Sequence, residues 1–248
     1  MEKNLHEYKY LPLLINIFVV VLLVSNLIAP KFVALPESFC SAAASLFGSG
    51  VGEFLRFFRF SVAQLLFPIT YIFGDVLTEV YGYSASRRAI WTGFLGASIM
   101  TVFGIFAVII PGAPEFKDQA AFATIFGVVP RNVAGSLLAY WAGEFANSFT
   151  VAKMKVLTKG RFLWMRTLGS TVVGQLVDTT IVIFFIFYGQ PLGFMARLII
   201  SGYLFKVGYE ALATPLTYVI INGLKRAEGV DYYDRSTNFN PFAVAEKP

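Results

Sequence analysis

Two carboxylates stand one helical turn apart inside an otherwise apolar stretch of the sequence. Asp75 and Glu79 are related as i and i+4, so a helix would present both on one face. A charged side chain in membrane hydrocarbon costs about 2.5–3.5 kcal/mol by insertion scales and therefore needs a partner, a cavity or a ligand. Further acids recur inside apolar stretches, at Glu144, Asp178 and Glu210. Acids placed in this way favour binding of a molecule that donates hydrogen bonds or carries positive charge.

A single base, Lys206, is predicted inside the membrane, and one base cannot neutralise five acids. The i, i+4 spacing of Lys206 and Glu210 predicts an intramembrane ion pair between them. Asp178 is the alternative partner of Lys206, from a neighbouring helix. Glu79, nearer the end of its helix, is either a ligand residue or a partner for the arginines that follow it. Under each of these interpretations some acids remain protonated, solvated or in contact with a ligand.

Polar residues follow one face of several predicted helices at steps of three or four. The tyrosines and amides among them have two interpretations, as ligand contacts or as packing and hydrogen bonding between helices. From these faces we predict a substrate site formed by nine residues, which are Tyr71, Asp75, Thr78, Glu79, Tyr140, Glu144, Asn147, Gln175 and Asp178.

The composition is typical of a membrane protein rather than a soluble domain. Of the 248 residues, 56% are hydrophobic and 14% are charged. The net charge of +5 comes mostly from short loops and does not indicate nucleic-acid binding. The single cysteine, Cys40, excludes a disulfide within the chain, and the single histidine, His6, argues against a His/Cys metal site. We therefore expect no metal and no cofactor.

Six apolar segments are each long enough to cross a hydrocarbon core of about 30 Å. The predicted fold is therefore an all-α integral membrane protein with six transmembrane helices. Two segments do not suit a span. Residues 37–60, between spans one and two, are predicted to lie at the membrane interface, and residues 120–129, between spans three and four, are predicted to be interfacial or re-entrant. The predicted spans are 10–33, 61–83, 89–110, 133–157, 168–189 and 197–224.

Basic residues concentrate on one side of this arrangement, after spans two and six and between spans four and five. The positive-inside rule then predicts that both termini are cytoplasmic. We expect one transmembrane transporter domain over residues 1–226 and a polar, disordered cytoplasmic tail over 227–248. No cleavable signal peptide is evident, and none is expected if the protein is inserted directly into a plasma or inner membrane. A face of small residues on span four, Gly135, Ala139 and Gly143, serves either internal packing or a homodimer.

A motif in span two carries a family resemblance. Residues 75–82 read Asp-x-x-Thr-Glu-x-Tyr-Gly, which resembles the queuosine precursor transporter family, also called the vitamin uptake transporter family. Three shorter blocks, at residues 25–31, 144–148 and 174–179, resemble further segments of that family. The resemblance extends from residue 11 to about residue 225.

The resemblance implies a transporter, not an enzyme, that imports 7-deazaguanine precursors of queuosine, chiefly 7-cyano-7-deazaguanine, across a bacterial inner membrane for queuosine salvage. The residues are compatible with such a purine-like ligand, because one carboxylate can accept both neighbouring N–H donors of a guanine-like edge. We expect Glu144 or Asp178 to be that carboxylate, with Asn147 and Gln175 beside it. Whether transport is proton-coupled, facilitated or driven by a partner stays open at this point, as does the preferred precursor.

Two functions of other classes are alternatives to this one. An intramembrane aspartyl protease would pair Asp75 with Asp178, but Ile72 stands where its Gly-x-Gly-Asp motif requires glycine. The other alternative is a substrate-binding membrane subunit of a larger ATP-driven transporter for a vitamin-like or purine-like compound. The glycine-rich residues 48–53 lack the lysine of a phosphate-binding loop, so that subunit would need ATPase partners.

Overall fold

The computed structural model describes residues 8–29, 31–57, 59–127 and 130–243, and helices dominate these residues. His6 and residues 244–248 lie outside this part of the chain. The elements in chain order are α1 (Leu11–Ile28), β1 (Phe32–Ala34), α2 (Glu37–Phe47), α3 (Ser49–Phe57), β2 (Arg59–Ser61), a 3₁₀ turn (Val62–Leu65), α4 (Phe67–Tyr81), α5 (Tyr83–Ile109), α6 (Gln119–Phe126), α7 (Pro130–Leu157), α8 (Leu163–Ile186) and α9 (Leu192–Glu228).

Four of these helices, α1, α5, α8 and α9, are long and apolar enough to cross a membrane. Helix α4 has 15 residues, and α7 carries polar residues along its middle, so neither joins that group. At about 1.5 Å per residue α4 is about 22 Å long. The 3₁₀ turn before it adds about 8 Å, which brings the pair near the thickness of a hydrocarbon core. The all-helical class is confirmed, whereas six spans and the orientation of the termini stay predictions.

The segments outside the long helices differ from the expected outline. Span one was predicted to continue to residue 33, but α1 ends at Ile28, and β1 pairs with β2 in an antiparallel hairpin with Phe32 opposite Ser61. The chain between the hairpin strands forms two helices, α2 and α3, that pack closely at Gly52 and Ala44. A Cβ at Gly52 would lie 2.4 Å from the Cβ of Ala44. The predicted segment 120–129 overlaps α6, which begins one residue earlier, and residues 128–129 lie outside the described residues.

Helix α4 lies at the centre of the molecule, where it packs against α1, α5, α7 and α9. Its apolar side chains, such as Val76 and Leu77, join Phe18 of α1 and Ile90 of α5 in the hydrophobic core. The helix stops at Gly82, whose φ of +86° is a left-handed conformation that favours glycine. A Cβ at Gly82 would also lie 2.3 Å from the ring of Tyr232. The last residue of the span-two motif is therefore a structural requirement.

Helices α7 and α8 pack at unusually short range because glycines line their contact. A Cβ at Gly135 would lie 2.3 Å from the Cβ of Phe185, and a Cβ at Gly143 would lie 2.8 Å from the Cβ of Asp178. Ala139, between these glycines, is also buried. The small-residue face of α7 therefore serves packing within the chain.

Residues 230–243 form neither helix nor strand, yet they contact the helices at many points. Asp234 is buried and accepts the backbone N–H of Tyr83, the first residue of α5, at 3.1 Å. Burial raises the pKa of Asp234, although hydrogen bonds from Thr237 and Tyr83 oppose this effect. Further along, the Trp91 indole N–H donates to the Pro241 carbonyl at 2.8 Å. The expectation of a disordered tail over residues 227–248 stays a prediction, and residues 244–248 lie outside the described residues.

The glycine contacts predict a difference between two Gly→Ala substitutions in long helices. Alanine is favoured over glycine in a helix by about 1 kcal/mol. At Gly208, where the added Cβ meets nothing within 4 Å beyond the adjoining residues and backbone of its own helix, this should leave the melting temperature Tm unchanged or raise it. At Gly135 the clash with Phe185 should cost about 1–3 kcal/mol and lower Tm. Thermal unfolding of both variants in detergent measures this, and equal Tm values would contradict the close α7–α8 packing.

Candidate functional site

A group of buried polar side chains from four helices lies at the centre of the molecule, and we call it the chamber. Each member has an exposed fraction of at most 4% and at least one oxygen atom without a hydrogen-bond partner among the described residues. Such a buried group costs about 1–3 kcal/mol if nothing pairs with it. A concentration of them therefore indicates a place where a ligand binds. The chamber residues are Tyr71 and Asp75 of α4, Glu144 and Asn147 of α7, Thr171 and Gln175 of α8, and Glu210 of α9.

Asp75 connects three helices through one of its two carboxylate oxygens. Its Oδ1 accepts a hydrogen bond from Nδ2 of Asn147 at 2.8 Å and another from Oγ of Ser170 at 3.2 Å. Its Oδ2 has no partner among the described residues, and neither does Oδ1 of Asn147. Ser170 was missed in the sequence, although it precedes the polar face of α8. Asp75 is thus held in position while it keeps an oxygen for a ligand.

Glu144 is fully buried, and neither of its carboxylate oxygens has a hydrogen-bond partner among the described residues. The carboxylate lies against α4 at Gly74, where an added Cβ would be 2.8 Å from Oε2 of Glu144. It interacts electrostatically with Asp178 and with Glu210. Of the acids predicted in the substrate site, Glu144 is therefore the one whose two carboxylate oxygens both lack a hydrogen-bond partner among the described residues.

Tyr71 lies across the contact between α7 and α8. An added Cβ at Gly143 would lie 2.8 Å from the Tyr71 hydroxyl, and one at Gly174 would lie 3.2 Å from Cε1 of its ring. The hydroxyl is buried and has no hydrogen-bond partner among the described residues. The glycines of α7 and α8 thus make room for an aromatic ring and a hydroxyl beside the acids.

The predicted ion pair between Lys206 and Glu210 is corrected by the structure. Nζ of Lys206 lies 2.6 Å from Oδ2 of Asp178, on the neighbouring helix α8, and it also approaches the Thr179 hydroxyl at 3.4 Å. Glu210 instead interacts electrostatically with Asp75, and both its carboxylate oxygens lack hydrogen-bond partners among the described residues. The i, i+4 spacing therefore named the wrong acid, because contact between helices decides which carboxylate the lysine reaches.

Glu79 belongs to a buried ion network and offers no free oxygen to the chamber. Arg166 of α8 donates to both its carboxylate oxygens, at 2.8 and 3.0 Å, and Lys225 of α9 donates to Oε1 at 2.7 Å. Lys155 of α7 lies 3.5 Å from the same oxygen. Cations from three helices therefore neutralise this acid, and a role for Glu79 as a ligand residue stays a prediction. We call the end of the molecule that carries them the basic end.

Asp231 completes the ion network from the C-terminal segment. It lies 2.6 Å from Nζ of Lys155 and 2.8 Å from Nζ of Lys225. Burial alone would raise the pKa of Asp231, but hydrogen bonds from both lysines outweigh it and hold the pKa below its usual value. The network therefore ties α4, α7, α8, α9 and the C-terminal segment together at the basic end.

Thr78 and Tyr140 use their hydroxyls within the protein. The Thr78 hydroxyl donates to the carbonyl of Gly74 at 2.8 Å, one turn earlier in α4. The Tyr140 hydroxyl donates to the carbonyl of Ile90 at 3.2 Å, on α5. Of the nine predicted site residues, the structure brings Tyr71, Asp75, Glu144, Asn147 and Gln175 together in the chamber. Asp178 lies at its edge, bonded to Lys206.

A family model described as "Putative vitamin uptake transporter" matches residues 61–220, which is more than half of the chain. The matched range holds every chamber residue and most of α9. The chain belongs to this family. It is therefore a multi-pass membrane transporter and not an enzyme, which removes the aspartyl protease alternative.

Two curated proteins are similar to this chain over much of its length. A "Probable queuosine precursor transporter" of Bacillus subtilis (strain 168) is 31% identical over 162 residues, which cover 64% of this chain and 70% of the relative. A "Queuosine precursor transporter" of Escherichia coli (strain K12) is 24% identical over 145 residues, which cover 57% of this chain and 63% of the relative. No solved structure matches the chain. Neither printed name favours the subunit of an ATP-driven transporter.

Substitution of Glu79 and substitution of Glu144 should affect stability differently. Glu79→Gln leaves the cations of the basic end without their main counter-charge and should cost about 3–5 kcal/mol, as breaking a buried ion pair does. Glu144→Gln removes a carboxylate that no described residue pairs, so it should leave the protein as stable as before. Both substitutions keep the shape of the side chain, and thermal unfolding in detergent compares them. A similar fall in Tm for both variants would contradict the separation of the network from the chamber.

Proposed function

We propose that this protein imports 7-deazaguanine precursors of queuosine, chiefly 7-cyano-7-deazaguanine, across a bacterial inner membrane, and that the chamber binds them. The observation that carries the proposal is the carboxylate of Glu144, which is fully buried and has both oxygens free of hydrogen bonds from the described residues. Membership of the transporter family and the printed names of the two relatives support the choice of substrate class.

The chemistry of the base matches the free atoms of the chamber. One edge of a 7-deazaguanine carries a ring N–H and an exocyclic amine as neighbouring donors, and a single carboxylate such as Glu144 accepts both. The carbonyl on the same ring needs a donor, which the amide of Gln175 or the hydroxyl of Tyr71 or Thr171 supplies. The N–H of the five-membered ring can donate to Oδ2 of Asp75, an oxygen without a partner among the described residues. The ring of Tyr71 offers an aromatic face for the base.

The ion network suits a barrier at the inner end of the transport path. We propose that the basic end lies in the cytoplasm, that both termini are cytoplasmic, and that α4 and α7 complete a set of six spans. In this arrangement the polar helices α4 and α7 are shielded by α1, α5, α8 and α9, which are apolar enough to face lipid. Release of a base toward the cytoplasm then requires the contacts of Glu79 with Lys155, Arg166 and Lys225 to rearrange. A homodimer would need a surface other than the glycine face of α7, because α8 covers that face.

The orientation predicts which single cysteines are reached from outside the cell. Cys40 is the only cysteine, and after its replacement by serine a cysteine can be placed at Glu115, between α5 and α6, or at Ala227, near the end of α9. A membrane-impermeant maleimide should label position 115 in intact cells and position 227 only after the membrane is opened. Labelling of position 227 in intact cells would contradict cytoplasmic termini.

Substitution of Glu144 tests the proposed binding mode. Glu144→Gln should weaken binding of 7-cyano-7-deazaguanine at least about tenfold, because hydrogen bonds to a charged group contribute about 1.5–3 kcal/mol. Glu115→Gln, an exposed acid outside the chamber, is the matched control and should bind as the wild type does. Binding to the purified protein is measured by calorimetry, with Tm as a check on folding.

An analogue of the base without the exocyclic amine makes the test specific. The wild type should bind this analogue more weakly than 7-cyano-7-deazaguanine, since one of the two donors to Glu144 is missing. In Glu144→Gln the difference between the two ligands should shrink. Unchanged affinity of Glu144→Gln for both ligands would overturn the assignment of Glu144.

A further inference from the structure

Glu210 is a chamber acid whose surroundings provide no cation. Its exposed fraction is 1%, and neither carboxylate oxygen has a hydrogen-bond partner among the described residues. Helices α8 and α9 run antiparallel, with Lys206 bonded to Asp178 and the Tyr218 hydroxyl bonded to the backbone N–H of Trp164. This pairing brings Glu210 opposite the turn of α8 that holds Gln175.

The charged groups that face Glu210 are acids or cations that other acids already hold. Helix α4 presents Asp75, which interacts with Glu210 electrostatically, and α7 presents Glu144, which does so too. Helix α8 presents Asp178, and the lysine of α9 that lies one turn from Glu210 is bonded to Asp178 at 2.6 Å. Arg166, nearer the start of α8, donates hydrogen bonds from Nε and Nη2 to the two carboxylate oxygens of Glu79. The ion pairs and hydrogen bonds of the described residues thus give Asp75, Glu144 and Glu210 no cation.

The neighbours of Glu210 include neutral polar groups as well as acids, which indicates a ligand site rather than a simple acidic patch. Oε1 of Gln175 and Oγ1 of Thr171 are buried on the face of α8 toward the chamber and have no hydrogen-bond partner among the described residues. The three acids also differ in how they are supported. Asp75 receives two hydrogen bonds from the protein, whereas Glu144 and Glu210 receive none from the described residues. Glu144 is already assigned to the donor edge of the base in the proposed function, which leaves Glu210 without an assigned partner.

We infer that Glu210 holds the positive charge that accompanies each substrate molecule through the transporter. With 7-cyano-7-deazaguanine, the neutral cyano base, this charge is a proton on the Glu210 carboxylate. The corresponding 7-deazaguanine with a 7-aminomethyl group, the aminomethyl base, carries an ammonium group. With that base the charge is the ammonium itself, and no proton is carried. This inference rests on the proposed function, because it gives Glu210 a role in the same site that is proposed to bind the base.

The physical reason is that a neutral base satisfies one carboxylate and leaves another without compensation. An unpaired charge in a protein interior costs several kcal/mol, so the carboxylate either takes a proton or pairs with a cation. The same oxygens of Glu210 accept a proton or an ammonium donor but not both together. Each transport event therefore moves one unit of positive charge with the base in either case.

Transport by purified protein in liposomes separates the two charges. An outside-acid gradient of one pH unit corresponds to 1.36 kcal/mol, so it should raise accumulation of the cyano base up to about tenfold in the wild type. The same gradient should not change accumulation of the aminomethyl base. A pH-sensitive dye inside the liposomes should report acidification during uptake of the cyano base and none during uptake of the aminomethyl base.

Glu210→Gln should remove both effects that depend on charge. Its uptake of the cyano base should continue without a response to the pH gradient, and its uptake of the aminomethyl base should fall at least about tenfold. Glu115→Gln, outside the chamber, is the matched control and should keep the wild-type pattern. Glu210→Asp, which retains a carboxylate, should restore the response to the gradient.

Four outcomes would overturn the inference. The first is a Glu210→Gln variant that keeps both the gradient response and uptake of the aminomethyl base. The second is a variant that loses both bases equally, which would make Glu210 a part of the base-binding surface. The third, which needs no variant, is a wild type whose uptake of the two bases acidifies the liposomes equally or not at all. The fourth is a wild type that transports neither base, which would overturn the proposed function as well.

Discussion

The structure depends on how a helix that carries two acids is kept at the centre of a membrane protein. Helix α4 is surrounded by α1, α5, α7 and α9, so Asp75 and Glu79 are fully withdrawn from the surface. Charges withdrawn in this way require partners inside the protein. Helices α7, α8 and α9 provide these partners at two levels, one turn of α4 apart. Residues of α7 and α8 donate to Asp75, and cations of α7, α8 and α9 pair with Glu79.

The two levels differ in what the protein leaves free. At the basic end, Glu79 is saturated by Lys155, Arg166 and Lys225, so its charge serves to join helices. One turn away, Asp75 keeps an oxygen without a partner among the described residues, beside other acids in the same condition. In the proposed function, the chamber binds the base on one side of a barrier that the closed ion network forms. Under that proposal the network opens for release, so that the chemistry of the chamber is coupled to movement of the helices.

The sequence predicted the helical class and placed five of the chamber residues on the polar faces of helices, because apolar length and steps of three or four along a helix are local properties. It could not predict which partner each acid finds. Lys206 was paired with Glu210 on its own helix, whereas the contact of α8 with α9 brings it to Asp178. Arg166 and Lys225 were counted as loop charges that set orientation, yet they reach the buried Glu79. Thr78 and Tyr140 share the helix periodicity of a site, but their hydroxyls bond to backbone carbonyls. These outcomes depend on contacts between helices that are far apart in the sequence.

The most direct test of the central claim is an experimental structure of the protein with 7-cyano-7-deazaguanine bound. The account predicts the base inside the chamber, with its ring N–H and exocyclic amine about 2.7–3.0 Å from the two carboxylate oxygens of Glu144. The ion network around Glu79 should lie between the base and one side of the membrane. A base bound elsewhere, or a base in the chamber whose donor edge faces away from Glu144, would contradict the account.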